Sequence, residues 1–267
     1  GKSVGATEQA VLTAVSASGK TRIYNCAKEP EIIWLCRFLK KMGASIQGEG
    51  TEEILIEGGK IIQGADMQVP PDRIVAGTYL CAAAATRGRI EIQNPPQGEL
   101  TAFLEVYRKM GGQYEWNSGK LVADGSRVRF PVSMTETAAY PGFPTDLQSL
   151  LMAVLATIPG KSCILESVFE DRFKITGELN RMGAEIRTEG RKAWIRGTSD
   201  LQGGYLQAQE LRGGAALVVA ALAARGESIV EGYSFICRGY EDIVQDISDL
   251  GGKIKKDTGM TTYEYIQ

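Results

Sequence analysis

Residues 73–124 read RIVAGTYLCAAAATRGRIEIQNPPQGELTAFLEVYRKMGGQYEWNSGKLVAD. An alanine-rich helix runs toward Gly88 and a short strand follows; a second helix ends at the Met110-Gly111 pair, and two strands close the unit. The same order recurs along the whole chain, making four copies. The first helix is predicted to end at Gly19, Gly88, Gly160 and Gly226, and the second at Gly43, Gly111, Gly183 and Gly251. These landmarks lie roughly 70 residues apart, the signature of an internal repeat. The first helices (about 5–18, 74–87, 146–158 and 212–225) are nearly apolar all round, so they are expected to be enclosed. The second helices are amphipathic: Ile32, Leu35, Cys36, Leu39 and Met42 recur at steps of three and four. Pro30 suits the first helical position and Gly43 the left-handed residue that ends the helix. The stretch Ser45 to Gly58 turns around Gly48-Glu49-Gly50 and reads as a hairpin. The expected class is α/β, in units of order βαβαββ with helices central and sheets outside. Two prolines at 70 and 71 after a glycine-containing stretch place a boundary near there, separating one unit (1–70) from three (71–267).

Composition narrows the chemistry. The chain has 267 residues, 43% hydrophobic and 23% charged, as globular proteins do. A net charge of −2 offers no general field for nucleic acid or anionic lipid, so neither is expected as a partner and any anion site must be local. There is no histidine, which excludes His-based metal sites, His general bases and Ser-His-Asp triads. The five cysteines are scattered without a CxxC pair and read as reduced thiols of a cytoplasmic protein. Apolar stretches such as 213–224 are too short to span a bilayer.

Where equivalent positions differ, chemistry can sit. The starts of the first helices fall at Gly5, Ile74, Asp146 and Arg212. Helix starts present unpaired N–H groups and partial positive charge, so they suit anions. Ser3-Val4-Gly5 is either a plain cap or a seat for a phosphate on small residues. Thr145-Asp146-Leu147-Gln148 reads as a capping box, with Asp146 either a favourable first-turn acid or a general base. The macrodipole disfavours Arg212 at a helix start, so Arg212 asks for an anion partner, and Glu210 lies two residues before it. Glu170 and Arg172 on one corner and Arg238 on the equivalent one are either solvated ion pairs or a cluster converging with Arg212 on Asp146.

Seven motifs in one register then become specific: SVGATE (3–8), EPEI (29–32), PDRI (71–74) with AGT (76–78), FPTDLQ (143–148), VFEDRF (168–173), LR (211–212) and RGYE (238–241). Together they resemble the enolpyruvyl transferase family, closest to the branch acting on UDP-N-acetylglucosamine in cell-wall synthesis, over residues 1–258. The resemblance implies an inside-out α/β barrel domain. It also implies transfer of the enolpyruvyl group of phosphoenolpyruvate to the 3-hydroxyl of the sugar nucleotide, with no metal or organic cofactor. Asp146 would take the proton of the attacking hydroxyl, while Arg212 and Arg238 hold or close over phosphoenolpyruvate. Ser3 and Val4 would bind the diphosphate, and Thr145 and Val168 would line the sugar-nucleotide pocket. The family has six units where this chain has four. The chain is therefore expected to lack the loop carrying the cysteine acid and the N-terminal lysine near the phosphate, and to be either a fragment or the partner of a separate N-terminal half. Glu210 stands where the family has aspartate, and Lys2 one place later than the usual basic residue. Residues 261–266 alternate and are predicted to supply the strand that completes the last unit. Alternatives left open are a non-catalytic sugar-nucleotide or phosphorylated-ligand binder, a 3-phosphoshikimate-type acceptor, and a scaffold whose charged corners are ion pairs.

Overall fold

A computed structural model describes residues 2–59 and 63–256 and the backbone of 264–266. It divides the chain into two compact units, residues 1–71 with Ala139–Gly142, and residues 72–138 with 143–267.

The first unit holds α1 (Val4–Ser16), β1 (Gly19–Tyr24), α2 (Pro30–Lys41), β2 (Ser45–Gln47) and β3 (Glu53–Gly58). Pro30 sits in the first turn of α2, where its missing N–H costs nothing, and Gly43 follows the helix at φ 104°. The three strands form an antiparallel sheet of order β1-β3-β2, with the hairpin turning at Gly48 and Gly50. Ile32, Cys36 and Leu39 of α2 meet Ile54 and Ile56 of β3 and Val11 and Val15 of α1 in one buried core. Here α1 departs from expectation. It buries only Thr7, Val11, Ala14 and Val15, and Leu12 is exposed, so this helix is one-sided rather than enclosed. Residues 139–142, far away in sequence, join this unit through Tyr140, whose backbone N–H donates to Glu29 Oε1 at 3.2 Å.

The second unit contains three repeats. The first comprises α3 (Arg73–Thr86), β4 (Arg89–Gln93), α4 (Thr101–Lys109), β5 (Gln113–Asn117) and β6 (Lys120–Asp124). The next comprises β7 (Thr135–Glu136), α5 (Gln148–Ala156), β8 (Gly160–Leu165), α6 (Thr176–Arg181), β9 (Glu185–Glu189) and β10 (Lys192–Gly197). The last comprises β11 (Tyr205–Gln207), α7 (Leu211–Ala223), β12 (Ser228–Glu231), α8 (Tyr233–Ile236), α9 (Ile243–Asp249), β13 (Ile254–Lys256) and β14 (Glu264–Ile266). Helices α3, α5 and α7 pack on one another in all three pairings, and each carries its own sheet. Every residue of α5 is buried, as its unbroken apolar sequence demands. Close approach is built in: a Cβ on Gly77 of α3 would meet Leu147 at 2.6 Å. Arg87 ties the C-terminal ends of two of these helices together. Its guanidinium donates to the carbonyls of Ala84 and Ala85 on α3 and to the hydroxyl and carbonyl of Thr157 after α5.

Several expectations need correction. The full βαβαββ order appears in the third and fourth repeats, whose sheets run β7-β8-β10-β9 and β11-β12-β14-β13. Among the described residues the first two repeats have three strands and lack a leading one. The second-helix glycines all take left-handed φ, between 90° and 104°, but the first helices stop short of theirs. Arg87, at φ 60°, takes the left-handed turn after α3, while Gly19 and Gly160 open strands. The strand predicted within 261–266 is present over Glu264–Ile266, antiparallel to both β12 and β13; residues 261–263 lie outside the described residues. Among the described residues no helix is long and apolar enough to cross a membrane.

Candidate active site

The second helices shorten where the repeats diverge. In the first two repeats they begin at Pro30 and Thr101, but in the last two the equivalent positions, Glu170 and Arg238, fall in loops ahead of α6 and α9. Helix is thus exchanged for two loops carrying charge. Between them stands Asp146, in a 3-10 turn (Thr145–Leu147) that precedes α5.

Asp146 is the meeting point. Arg172 Nη2 donates to Asp146 Oδ1 at 2.8 Å, and Arg212 Nε lies 3.5 Å from Oδ2. The side chains are 39%, 21% and 13% exposed for Asp146, Arg172 and Arg212, so the cluster is half-buried yet reachable. The anion that Arg212 called for at its helix start is therefore Asp146. Arg172 also stacks its guanidinium over the Phe169 ring at 4.9 Å, and Arg212 over Tyr240 at 5.8 Å. Among the described residues Arg212 Nη1 is buried without a hydrogen-bond partner.

Tyr240 supports this arrangement from below. It is 2% exposed, and its hydroxyl lies 2.7 Å from Thr78 Oγ1 on α3. Burial pushes its phenol up, against the opposing influence of Thr78 and Arg212. The turn that carries it passes close to Arg212: a Cβ on Gly239 would come within 3.2 Å of Arg212 Nη1 and 2.9 Å of Leu211. Arg238, one residue earlier, is exposed and makes no hydrogen bond or ion pair among the described residues. The structure places it in the turn beside Arg212 and not on Asp146.

The remaining predicted residues divide. Thr145 and Val168 are brought together, but through a residue that sequence reading missed. Glu166, only 1% exposed, accepts the Val168 and Phe169 amides on Oε1, at 2.9 and 3.0 Å, and the Thr145 hydroxyl on Oε2, at 2.8 Å. The capping box is thereby overturned. Thr145 gives its hydroxyl to Glu166 rather than to a helix amide, and Gln148 is fully buried with Nε2 unpaired among the described residues instead of reaching back. Glu210 caps α7, accepting from the amides of Arg212 and Gly213, so the helix occupies its carboxylate. Glu170 makes an exposed ion pair with Arg191 at 3.2 Å, the solvated alternative, and does not turn to Asp146. A hollow of about 290 Å³ is lined by Phe169, Glu170, Asp171, Arg172, Lys174 and Glu210. Two larger hollows, of about 630 and 750 Å³, lie on the outer faces of the β5–β6 and β9–β10 hairpins, away from Asp146.

In the first unit, Ser3 caps α1 with its hydroxyl, which accepts from the Ala6 amide at 3.2 Å. Val4 is half-buried, Gly5 is exposed, and a Cβ at Gly5 would meet nothing within 4 Å. Lys2 and Lys28 both pair with Glu52. No group of His, Cys, Asp or Glu able to hold a metal occurs among the described residues.

The EPSP synthase (3-phosphoshikimate 1-carboxyvinyltransferase) family model matches residues 1–247, and the chain belongs to that family. It is 44% identical over 252 residues to UDP-N-acetylglucosamine 1-carboxyvinyltransferase 2 of Caldanaerobacter subterraneus subsp. tengcongensis, covering 94% of this chain and 60% of that protein. It is 45% identical over 257 residues to the protein of the same name from Carboxydothermus hydrogenoformans, covering 95% and 61%. Among solved structures it is similar to the enolpyruvyl transferase NikO from Streptomyces tendae, with TM-score 0.84, 25% identity, and 93% and 59% of the two chains covered. The fold is shared with EPSP synthase from Acinetobacter baumannii at TM-score 0.68 and 19% identity, covering 90% and 58%. The chain spans about 60% of the length of the curated relatives it matches.

Proposed function

We propose that this chain carries the acceptor-activating part of an enolpyruvyl transferase, moving the enolpyruvyl group of phosphoenolpyruvate to the 3-hydroxyl of UDP-N-acetylglucosamine, the first committed step of peptidoglycan synthesis. The observation that carries the reading is the Asp146 carboxylate between Arg172 and Arg212, with the exposed Arg238 in the neighbouring turn. In this reaction the sugar hydroxyl adds to C2 of phosphoenolpyruvate while Asp146 takes its proton and a general acid from the remaining machinery protonates C3; loss of a proton from C3 then restores the double bond as the C–O bond to phosphate breaks, releasing phosphate. The guanidiniums of Arg172 and Arg212 on Asp146 offer forked donors suited to a substrate bearing phosphate and carboxylate. An incoming anion competes with Asp146 for the arginines and so frees that carboxylate to act as base.

On this reading residues 1–70 are the end of an N-terminal domain, and 71–267 are a three-unit domain of inside-out barrel form working in the cytoplasm. The rest of the machinery, including the general acid, comes from the remaining length seen in the relatives, either on the same polypeptide or as a separate N-terminal half. Ser3, Val4 and Gly5 offer the diphosphate an exposed helix start. The names of the relatives favour UDP-N-acetylglucosamine over the 3-phosphoshikimate named in the family description. Phosphate release with phosphoenolpyruvate is to be measured for this chain combined with the remaining portion, with each acceptor in turn. Turnover with UDP-N-acetylglucosamine alone supports the proposal. Turnover only with shikimate 3-phosphate reassigns the acceptor, and binding of the sugar nucleotide without turnover makes the chain a binding protein.

A further inference from the structure

We infer that Glu166 is the positioning residue that makes the Asp146 and Arg172 loops one element. Asp146 sits in the turn after Pro144; Arg172 sits in the loop after β8. These loops are distant in sequence, and the ion pair between them, 39% and 21% exposed, is too wet to hold them by itself. Glu166 grips both. Its Oε1 accepts the amides of Val168 and Phe169, which fixes the ring on which Arg172 stacks. Its Oε2 accepts the hydroxyl of Thr145, the residue next to Asp146. The backbone of Glu166 is held in turn, its N–H donating to the Arg191 carbonyl at 2.8 Å. At 1% exposure and with no salt bridge among the described residues, this carboxylate is compensated by three N–H and O–H donors rather than by a cation. A buried charge so satisfied holds one geometry, because any movement of either loop strands it.

The role of Glu166 rests on reading Asp146 as the reactive carboxylate, and its test has an arm that does not. Glu166→Gln keeps one oxygen for the two amides and lets its NH₂ donate to Thr145 Oγ1, reversing one bond. Glu166→Ala removes all three. In the 267-residue chain, hydrogen exchange at the Val168 and Phe169 amides is expected to speed about 10- to 100-fold in Glu166→Ala and to stay near wild type in Glu166→Gln. The side-chain Nε resonance of Arg172 should shift in the alanine variant and be restored by glutamine. With UDP-N-acetylglucosamine as the titrant, affinity should fall about 10- to 100-fold in Glu166→Ala, and glutamine should recover most of it. Unchanged exchange and an unmoved Arg172 resonance in Glu166→Ala overturn the inference. If that variant does not fold, Thr145→Val, which removes only the Oε2 bond, must still shift the Arg172 resonance or the inference fails. Should the wild-type chain, combined with the remaining portion, bind no sugar nucleotide, the proposed function falls, and the exchange and resonance measurements still decide the role of Glu166.

Discussion

At the start of α3, Asp72 turns its carboxylate back onto the helix, accepting the amides of Ile74 and Val75 at 2.6 and 3.2 Å. At the start of α5, Asp146 turns away, toward Arg172 and Arg212. The residue type is the same and the helices are equivalent, so position within the first turn decides. Asp72 occupies the extended cap position, at φ −79° and ψ 118°, whereas Asp146 is the second residue of a 3-10 turn that follows Pro144. A cap consumes a carboxylate; a residue two positions further in has none of its acceptors claimed by the helix. Glu210 at α7 behaves like Asp72, and by capping there it seats Arg212 at the helix start facing Asp146.

The largest test of this contrast is isosteric. On the proposed reading, Asp146→Asn in this chain combined with the remaining portion should lower phosphate release by about 10²- to 10⁴-fold, as loss of a general base does, while Asp72→Asn leaves the rate near wild type. Equal losses from both would abolish the distinction. Next, Arg212→Lys keeps the charge but loses the fork and the stack on Tyr240. Phosphoenolpyruvate binding, followed by calorimetry, should weaken about 10-fold. Undiminished binding would remove Arg212 from the site. In stability the order reverses. Asp72→Ala should cost ~1 kcal/mol by urea denaturation, the worth of a cap, and Asp146→Ala less, because its ion pairs are more than a third exposed on the carboxylate side. A larger loss at Asp146 would mean that its arginines serve the fold first. The smallest effect extends the occupied-versus-open contrast to thiols. Cys237 alone is exposed, while Cys36 is pushed up to about 11, mainly by burial. Native protein at pH 8 should therefore take up one equivalent of a thiol reagent quickly, and more than one would show that the buried cysteines are reachable.

Local signals were legible. Glycine at φ near 100° after each second helix, proline opening α2, and the hairpin at Gly48 and Gly50 follow from backbone sterics within a few residues. Asp146 and Arg212 were also visible, because a lone charge at the start of an apolar helix has few explanations. Thr145 and Gln148 misled, since a threonine followed three residues later by glutamine satisfies a local rule that a distant competitor overrode. That competitor, Glu166, left one trace in the sequence: an acid closing the apolar run of β8, with no basic partner at strand spacing. Likewise the apolar face of α1 read as enclosed, because sequence reports which faces could be buried and not which are covered.

The sequence by itself determined the repeats, the two helix types in each, the family, and the residues on which charge departs from the pattern, since each depends on neighbours within a turn or a hairpin. Only the tertiary structure decided which carboxylate remained open. Asp72, Asp146, Glu166 and Glu210 are alike in composition. Their hydrogen-bond partners, set by packing of α3, α5 and α7, assign one to the arginines and the others to helix caps and loop anchors.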